Sequence, residues 1–490
     1  GYDPWLHTTT GLERLHAACK QAGGKIVAAE DNPIDAIWQN QPVAPLAPVL
    51  PHGPRFAGKA HAKKCREIAR AIADDGVDAV ILSAPDSIAW LLNLRGGDVP
   101  YTPLALSFAI LYADASIDLF IDSRKLTTAL GRHLGRNVRL AEPDALAAAI
   151  DELGRTGKSV RLDPAGAPVW VMDRLRRATA RVVPGVDPCA LPKALKNKTE
   201  TAGVRAAHLR DGVALTGFLA WLSEAASSGR LTEMAAADKL DSMRRGNRYF
   251  QGYSFPTISG AGPNGAVVHY RVSERTNRVL KAGSLFLVDS GAQYLDGTTD
   301  VTRTIAIGKP TNEMKDRFTR VLKGHIAIAT TIFPSGTTGS HLDILARRSL
   351  WSVGLDYGHG TGHGVGSYLG VHEGPQRISR AFSNVTLQPG MIVSNEPGYY
   401  KTGRYGIRIE NLVLVVPAKA PKGAEQEMFA LDTLTLAPID RNLIDAKLLS
   451  ADEIRWLDAY HARVQKALSP ALGAQAQAWL NRVTRPLRGR

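Results

Sequence analysis

The sequence predicts an α/β (α+β) chain of more than one domain. Three observations carry that expectation. Helices are marked by caps and by apolar residues at helical spacing, short apolar runs between them read as strands and hairpins, and 490 residues suffice for about three domains of ordinary size.

Residues 1–44 hold one helical stretch, GLERLHAACKQAG, and one short strand, KIVAA, too little for a core of their own. They read as the tail of a domain whose front is absent. The opening GYDPWLHTTT lacks Met and the basic and apolar regions of a secretory signal, so it is not expected to be the native start. QPVAPLAPVLPHGP, at 41–54, carries five prolines and no hydrophobic period, which makes it an extended connector and a boundary. An α/β domain is expected over 45–195. It begins with the helix KAHAKKCREIARAIADDG, closed by Gly76, and continues with the strand VDAVILSA and the hairpin SFAILYADASIDLFID.

A further domain, 196–435, opens on a long helix with Thr199 as its expected N-cap, because a hydroxyl there accepts from an otherwise orphaned backbone N–H. Thr232 and Thr311 stand before two more helices, and SHLDILARRSLWSVG forms another, with glycine-rich strands and hairpins between them. Residues 436–490 are expected to form a C-terminal appendage whose helix, SADEIRWLDAYHARVQKAL, starts with a capping box of Ser450 and Glu453.

Composition excludes several classes. Hydrophobic residues are 44% and charged residues 22%, a globular balance rather than a disordered one. Three cysteines without a CxxC pair exclude a disulfide framework and a zinc knuckle and point to a reducing, cytoplasmic location. Apolar runs such as LALSFAIL fall far short of the roughly 20 residues that span a bilayer, so no membrane span is expected. The net charge of +14 is spread along the chain, which reads as a solvated surface; nucleic-acid binding is not expected.

The chemistry concentrates in the second half. GHGTGHGVG, at 358–366, fits neither GxGxxG nor the P-loop; HEGPQ is not HExxH, and no GxSxG elbow surrounds it. Asp289 ends the apolar run SLFLVDSG and Asp300 opens DVTRTIAIG, with GAQYLDG between them as turn material, so pairing of the two strands lets the carboxylates face each other. Gly403 is the midpoint between Glu396 and Glu410, and a hairpin there brings the glutamates opposite one another. Taken singly, these residues are ordinary turn formers, edge charges or a core histidine. Together, four carboxylates and His363 beside apolar runs are costly to bury without a countercharge, and a metal resolves that cost. Oxygen-rich ligands with one imidazole suit Mn, Fe, Co or Zn in a two-metal site, whereas structural zinc favours thiolates.

LFLVDSGAQYLDGTTDVTRT, GHGTGHGVG, VHEGPQ, SNEPGYY and GIRIEN resemble the motifs of aminopeptidase P, the Xaa-Pro aminopeptidases among the pita-bread metallopeptidases. The likeness runs in order from about residue 60 to the C-terminus and includes DSIAWLLNLRGGDVPY. It implies a pita-bread catalytic domain preceded by a creatinase-like α/β domain, with 1–44 the remnant of a first creatinase-like domain that is complete in the larger members. It also implies two divalent metal ions, usually Mn²⁺ with Zn²⁺ or Co²⁺ as alternatives. Their ligands are Asp289, Asp300, His363, Glu396 and Glu410, with Asp300 and Glu410 bridging. By the same resemblance His359 lines the proline pocket, and His269 and His372 bind the scissile carbonyl and its oxyanion. Glu396 relays a proton, and Arg408 orients ligand carboxylates.

The implied function is a metalloaminopeptidase that hydrolyses the N-terminal Xaa-Pro bond of peptides by a hydroxide bridging the two metals, in a cytoplasmic homodimer joined through the C-terminal segment. A prolidase acting on Xaa-Pro dipeptides is the near alternative. A non-catalytic pita-bread protein that binds peptides or nucleic acid is the distant one, and the complete ligand set speaks against it. The glycines around His359 and His363 are expected to let the backbone bend tightly and approach a bound peptide.

Overall fold

In the computed structural model, which describes residues 1–419 and 422–487, the chain forms two compact units, Gly1–Lys193 and Ala194–Arg490. The first is built on a six-stranded mixed sheet. Its strands, in spatial order, are Val138–Ala141, Ile117–Phe120, Phe108–Tyr112, Ala79–Leu82, Ser159–Leu162 and Arg181–Pro184. The expected hairpin is present, Phe108–Tyr112 running antiparallel to Ile117–Phe120. Ala79–Leu82 is buried at every position, as a central strand covered on both faces must be. The helix His61–Asp74 buries Ile68 and Ile72, and the chain leaves it through Gly76 at φ +70°.

KIVAA does not form the expected strand. Only an isolated bridge joins Ala28 to Tyr2, and Val27 is exposed, so the segment has neither a ladder partner nor a face to bury. The N-terminal residues instead lean on this unit. Trp5 stacks on Trp170 at 4.1 Å, and the Val169 N–H donates to the His7 carbonyl at 2.8 Å.

The second unit opens with the helix Lys198–Ala225. Its N-cap is Asn197, not Thr199. The Asn197 side chain accepts from the N–H groups of Thr199 and Glu200, and Glu200 reaches back to the Asn197 N–H, a reciprocal arrangement that requires the carboxylate three residues after the cap. Thr232, Thr311 and Ser450 cap their helices as expected, Ser450 in a capping box with Glu453.

Two sheets and a hairpin carry the motifs. Ile258–Ala261, Ser284–Ser290 and Val301–Ile307 form one antiparallel sheet. Ile332–Pro334, Met428–Thr433, Asn411–Pro417 and Ile392–Asn395 form another. Gly398–Lys401 and Tyr405–Arg408 make the hairpin. GAQYLDG is not merely a turn. It holds the short strands Ala292–Tyr294 and Gly297–Thr298, because Ala292–Tyr294 also pairs with Phe250–Tyr253 and its backbone groups find partners there. The stretch expected as an appendage folds into the same unit, where Leu457, Tyr460, Val464 and Leu468 pack with Phe318, Leu322 and Ile407 in one apolar cluster. Among the described residues no helix is long and apolar enough to cross a membrane.

A candidate metal centre

The hairpin that carries two of the glutamates keeps a single register over its whole length. Ile392 faces Leu414, Asn395 faces Asn411, Gly398 faces Arg408 and Lys401 faces Tyr405. The turn centres on Gly403, at φ +71°, where a side chain would be strained. Glu396 and Glu410 therefore meet in the short gap between the two paired stretches. The aspartates are less directly matched than the sequence implies. Asp289 stands opposite Thr302, and Asp300 lies two residues before Thr302, so the carboxylates share a face as diagonal neighbours. The connection between them, in which GAQYLDG was expected as turn material, instead pairs as short strands.

His363, on the Gly362–His363 strand, completes the cluster. Its Nδ1–H donates to the Gly364 carbonyl at 3.0 Å, which leaves the Nε2 lone pair facing Glu396 at 3.3 Å and Asp300 at 3.6 Å. Ligand-type atoms of Asp300, His363 and Glu410 all lie within 4.8 Å of one another. Ser394 ties two members together, accepting from the His363 N–H at 2.9 Å and donating to Glu396 at 3.0 Å. Thr302 donates to Glu410 at 2.7 Å.

Arg408 is buried behind the acids. It donates to Asp289 at 2.5 Å, to Thr302 Oγ1 at 3.1 Å and to the Tyr400 hydroxyl at 2.7 Å. Tyr400 in turn meets His359 Nε2 at 2.9 Å, and His359 Nδ1–H donates to the Gly360 carbonyl at 2.7 Å. Both imidazole nitrogens of His359 are thus engaged, and the residue lines the cavity. A second buried guanidinium, Arg303, donates to the Glu410 carbonyl at 2.6 Å and to the Tyr460 hydroxyl at 3.0 Å, which ties the Glu410 backbone to the helix Ala451–Leu468.

Two glycines explain how His363 comes so close. A Cβ on Gly362 would sit 1.9 Å from the Ser394 carbonyl oxygen, and one on Gly364 would sit 2.0 Å from that of Glu373. None of the glycines at 358–366 has a positive φ. The expected tight bending is therefore corrected: glycine is needed at 362 and 364 because backbone carbonyls of other segments pass against the chain there.

These side chains form the floor of a cavity of about 590 Å³, which also includes His269, His359 and His372. The structure thus brings all the sequence-predicted site residues to one cavity. His372 meets the His363 ring edge-on, with centroids 4.2 Å apart. Missing from the sequence reading were Tyr400, Thr302 and Ser394, and the apolar wall of Phe255, Pro256 and Val268. NEPGYY contains Tyr400, but nothing in the motif shows that its hydroxyl joins an arginine and a histidine from other segments.

The electrostatics report an excess of acid. Burial, followed by repulsion from the neighbouring carboxylates, holds Asp300 and Glu410 well above the carboxylate range, and burial pushes Glu396 up to about 7. Burial lowers His359 and His372 to about 4 and also lowers His363. Asp289 Oδ1 and Asp300 Oδ1 are buried without a hydrogen-bond partner. Unpartnered carboxylate oxygens, an inward imidazole lone pair and neutral neighbouring histidines fit hard to borderline divalent cations.

Comparison with known proteins identifies the family. Residues 202–417 match the metallopeptidase family M24, residues 40–200 the creatinase/prolidase N-terminal domain, and residues 427–487 the C-terminal region of peptidase M24. A probable Xaa-Pro aminopeptidase P of Aspergillus niger is 40% identical over 99% of this chain and 81% of its own length. One from Laccaria bicolor is 42% identical over 99% of this chain and 77% of its own. The crystal structure of the X-prolyl aminopeptidase of Caenorhabditis elegans, described as a cytosolic enzyme with a di-nuclear active site, superposes with a TM-score of 0.94. Its identity is 36%, covering 99% of this chain and 80% of that one. Identity of that depth over nearly the whole chain, on a creatinase-like domain followed by a pita-bread domain, means that the chain belongs to the Xaa-Pro aminopeptidase P family of the M24 metallopeptidases.

Proposed function

We propose that this metalloaminopeptidase removes the N-terminal residue from peptides whose second residue is proline, with two divalent ions held by Asp289, Asp300, His363, Glu396 and Glu410. The observation that carries the reading is the convergence of four carboxylates and the His363 Nε2 lone pair, with two buried carboxylate oxygens unpartnered. Bound divalent ions supply Lewis acidity there, polarising the scissile carbonyl and lowering the pKa of water from about 15.7 to about 7.

The chain's own residues do the rest. The acid floor attracts the substrate's amino terminus. The imidazoles of His269 and His372 line the cavity as donors for the carbonyl oxygen and for the charge that develops on it. Phe255, Pro256 and Val268, with His359 on the same lining, offer an enclosure for the proline ring. Arg408 orients Asp289 directly and His359 through Tyr400.

Full-length relatedness to aminopeptidases P favours this function over a prolidase. By family likeness, manganese is the metal and the C-terminal segment of 436–490 supports a homodimer. A cytoplasmic location is proposed from the three free cysteines and from the cytosolic worm enzyme. The test is cleavage of Ala-Pro-Ala against Ala-Pro, with elemental analysis of the purified chain. Tripeptide cleavage that chelation abolishes and divalent metal restores is expected. Undiminished cleavage after chelation, or cleavage of the dipeptide alone, defeats the reading.

A further inference from the structure

His269 lines the cavity, yet its ring makes no hydrogen bond among the described residues. Its place therefore depends on the backbone that carries it. That backbone belongs to residues 262–278, which follow the strand Ile258–Ala261 and hold no α-helix or strand. They contain the 3₁₀ turn Gly262–Ala266 and a second turn in which the Tyr270 N–H donates to the Val267 carbonyl at 3.1 Å. Val268, His269, Tyr270 and Arg271 of this loop all line the cavity.

One carboxylate holds the loop at both ends and in the middle. Glu233, in the first turn of the helix Glu233–Arg245, is fully buried and makes no ion pair among the described residues. Its Oε1 accepts from the Ala261 N–H at 2.6 Å, and its Oε2 from the Arg278 N–H at 2.9 Å and the Tyr270 hydroxyl at 3.0 Å. The Asn264 amide donates to both oxygens at 3.0 Å. A buried carboxylate is costly unless its lone pairs are filled. Here every side-chain partner comes from the loop or the residue before it, so the charge and the shape of the loop depend on each other. The helix N-terminus adds a favourable dipole.

We propose that Glu233 is a positioning residue for the peptidase reaction: by gathering donors from Ala261, Asn264, Tyr270 and Arg278 it holds His269 where it meets the scissile carbonyl. This rests on the Xaa-Pro reading above and on the role given there to His269. Tyr270 is the next residue to His269, so the bond from its hydroxyl carries the restraint to the neighbouring imidazole. A displacement of about 1 Å at a reacting centre can cost about 100-fold, so a distant carboxylate can matter to rate.

The test is a double-mutant cycle on Ala-Pro-Ala with the metal-loaded full chain. Glu233→Gln keeps the shape of the side chain but replaces one acceptor oxygen with an amide that cannot accept. E233Q should lower kcat about tenfold and leave KM within about twofold, the pattern of an interaction made chiefly in the transition state. Two metals per chain should remain. H269A alone should cost about 100- to 1000-fold, as the loss of one oxyanion donor does. Adding E233Q to H269A should then cost less than about twofold, because residues that act as one unit are not additive. Y270F, which removes a single donor and keeps the ring, should show a smaller loss with the same dependence on His269, and it decides the matter if E233Q does not fold. An unchanged kcat in E233Q, no loss in H269A, or the same factor in both backgrounds overturns the proposal, while cleavage by the parent chain upholds the Xaa-Pro activity. Failure of the parent to cleave overturns both.

Discussion

Tyr400→Phe removes one hydroxyl from the cavity floor and keeps the ring. That hydroxyl accepts from Arg408 Nη1 at 2.7 Å and donates to His359 Nε2 at 2.9 Å. Burial pushes its pKa up to about 12, so it remains a donor at any working pH. Without it Arg408 keeps Asp289 and Thr302 but leaves a buried N–H unpaired, and His359 loses the contact that fixes its ring. A bond to a charged group contributes about 1.5–3 kcal/mol and a neutral one about 0.5–1.5 kcal/mol. Part of that loss falls on stability and part on the alignment of Asp289 and His359. Groups that orient metal ligands typically cost about 10- to 100-fold when removed, so kcat/KM on Ala-Pro-Ala should fall by about that factor. Two metals per chain should remain, because Tyr400 bonds none of the proposed ligands directly. Tyr399→Phe, on the opposite face of the same strand, should stay within about twofold and serves as the control. Activity of Y400F within twofold of the parent, or a loss that follows metal content, would refute the positioning argument.

Three further outcomes are expected. D300N and H363A should abolish tripeptide cleavage and bring the metal content below two per chain by elemental analysis. G362A should destabilise the catalytic unit and cut activity, because its new methyl meets the Ser394 carbonyl, whereas G358A, with nothing within 4 Å, should stay close to the parent in both melting temperature and turnover. His461 has its pKa lowered to about 3 by burial, and its Nε2 accepts from the Ile439 N–H at 3.1 Å, so the folded chain holds it neutral. A depressed folded pKa means stability that is present above about 6.5 and lost as pH falls toward 3; H461Q should therefore show a stability slope smaller by about 1.4 kcal/mol per pH unit between pH 6 and 4 in urea unfolding.

What the sequence revealed and what it hid follow from where the information lies. The meeting of Glu396 and Glu410 was legible because a hairpin's register follows from its midpoint, and Gly403 marks that midpoint. The relation between Asp289 and Asp300 was not, since it depends on Ala292–Tyr294 pairing with a strand some 40 residues upstream. Helix caps at Thr232, Thr311 and Ser450 were legible from local chemistry. At Asn197 the same chemistry was present, but the cap was expected two residues later at Thr199, and the reciprocal bond from Glu200 is what marks Asn197 as the cap. The glycines were located correctly and explained wrongly, because the strand that crowds Gly362 belongs to a distant segment. Tyr400 was invisible for the same reason. Its partners come from two other stretches of chain, and only the fold brings them within hydrogen-bond reach.

Charge supports two cations rather than one. The cavity floor holds four carboxylates and one guanidinium engaged with them, which leaves three negative charges when all four acids are ionised. One divalent ion would leave a negative floor, and that would repel the oxyanion that amide hydrolysis must develop. Two leave a single positive charge, which attracts it. The count takes His359 and His372 as neutral, and burial favours this by lowering both to about 4. The same burial forces protons onto Asp300 and Glu410 when no cation is near, so metal binding and deprotonation of the floor must be coupled. An acid-rich floor thus selects for cations of high charge, and the burial that raises its carboxylates also lowers His359, His363 and His372.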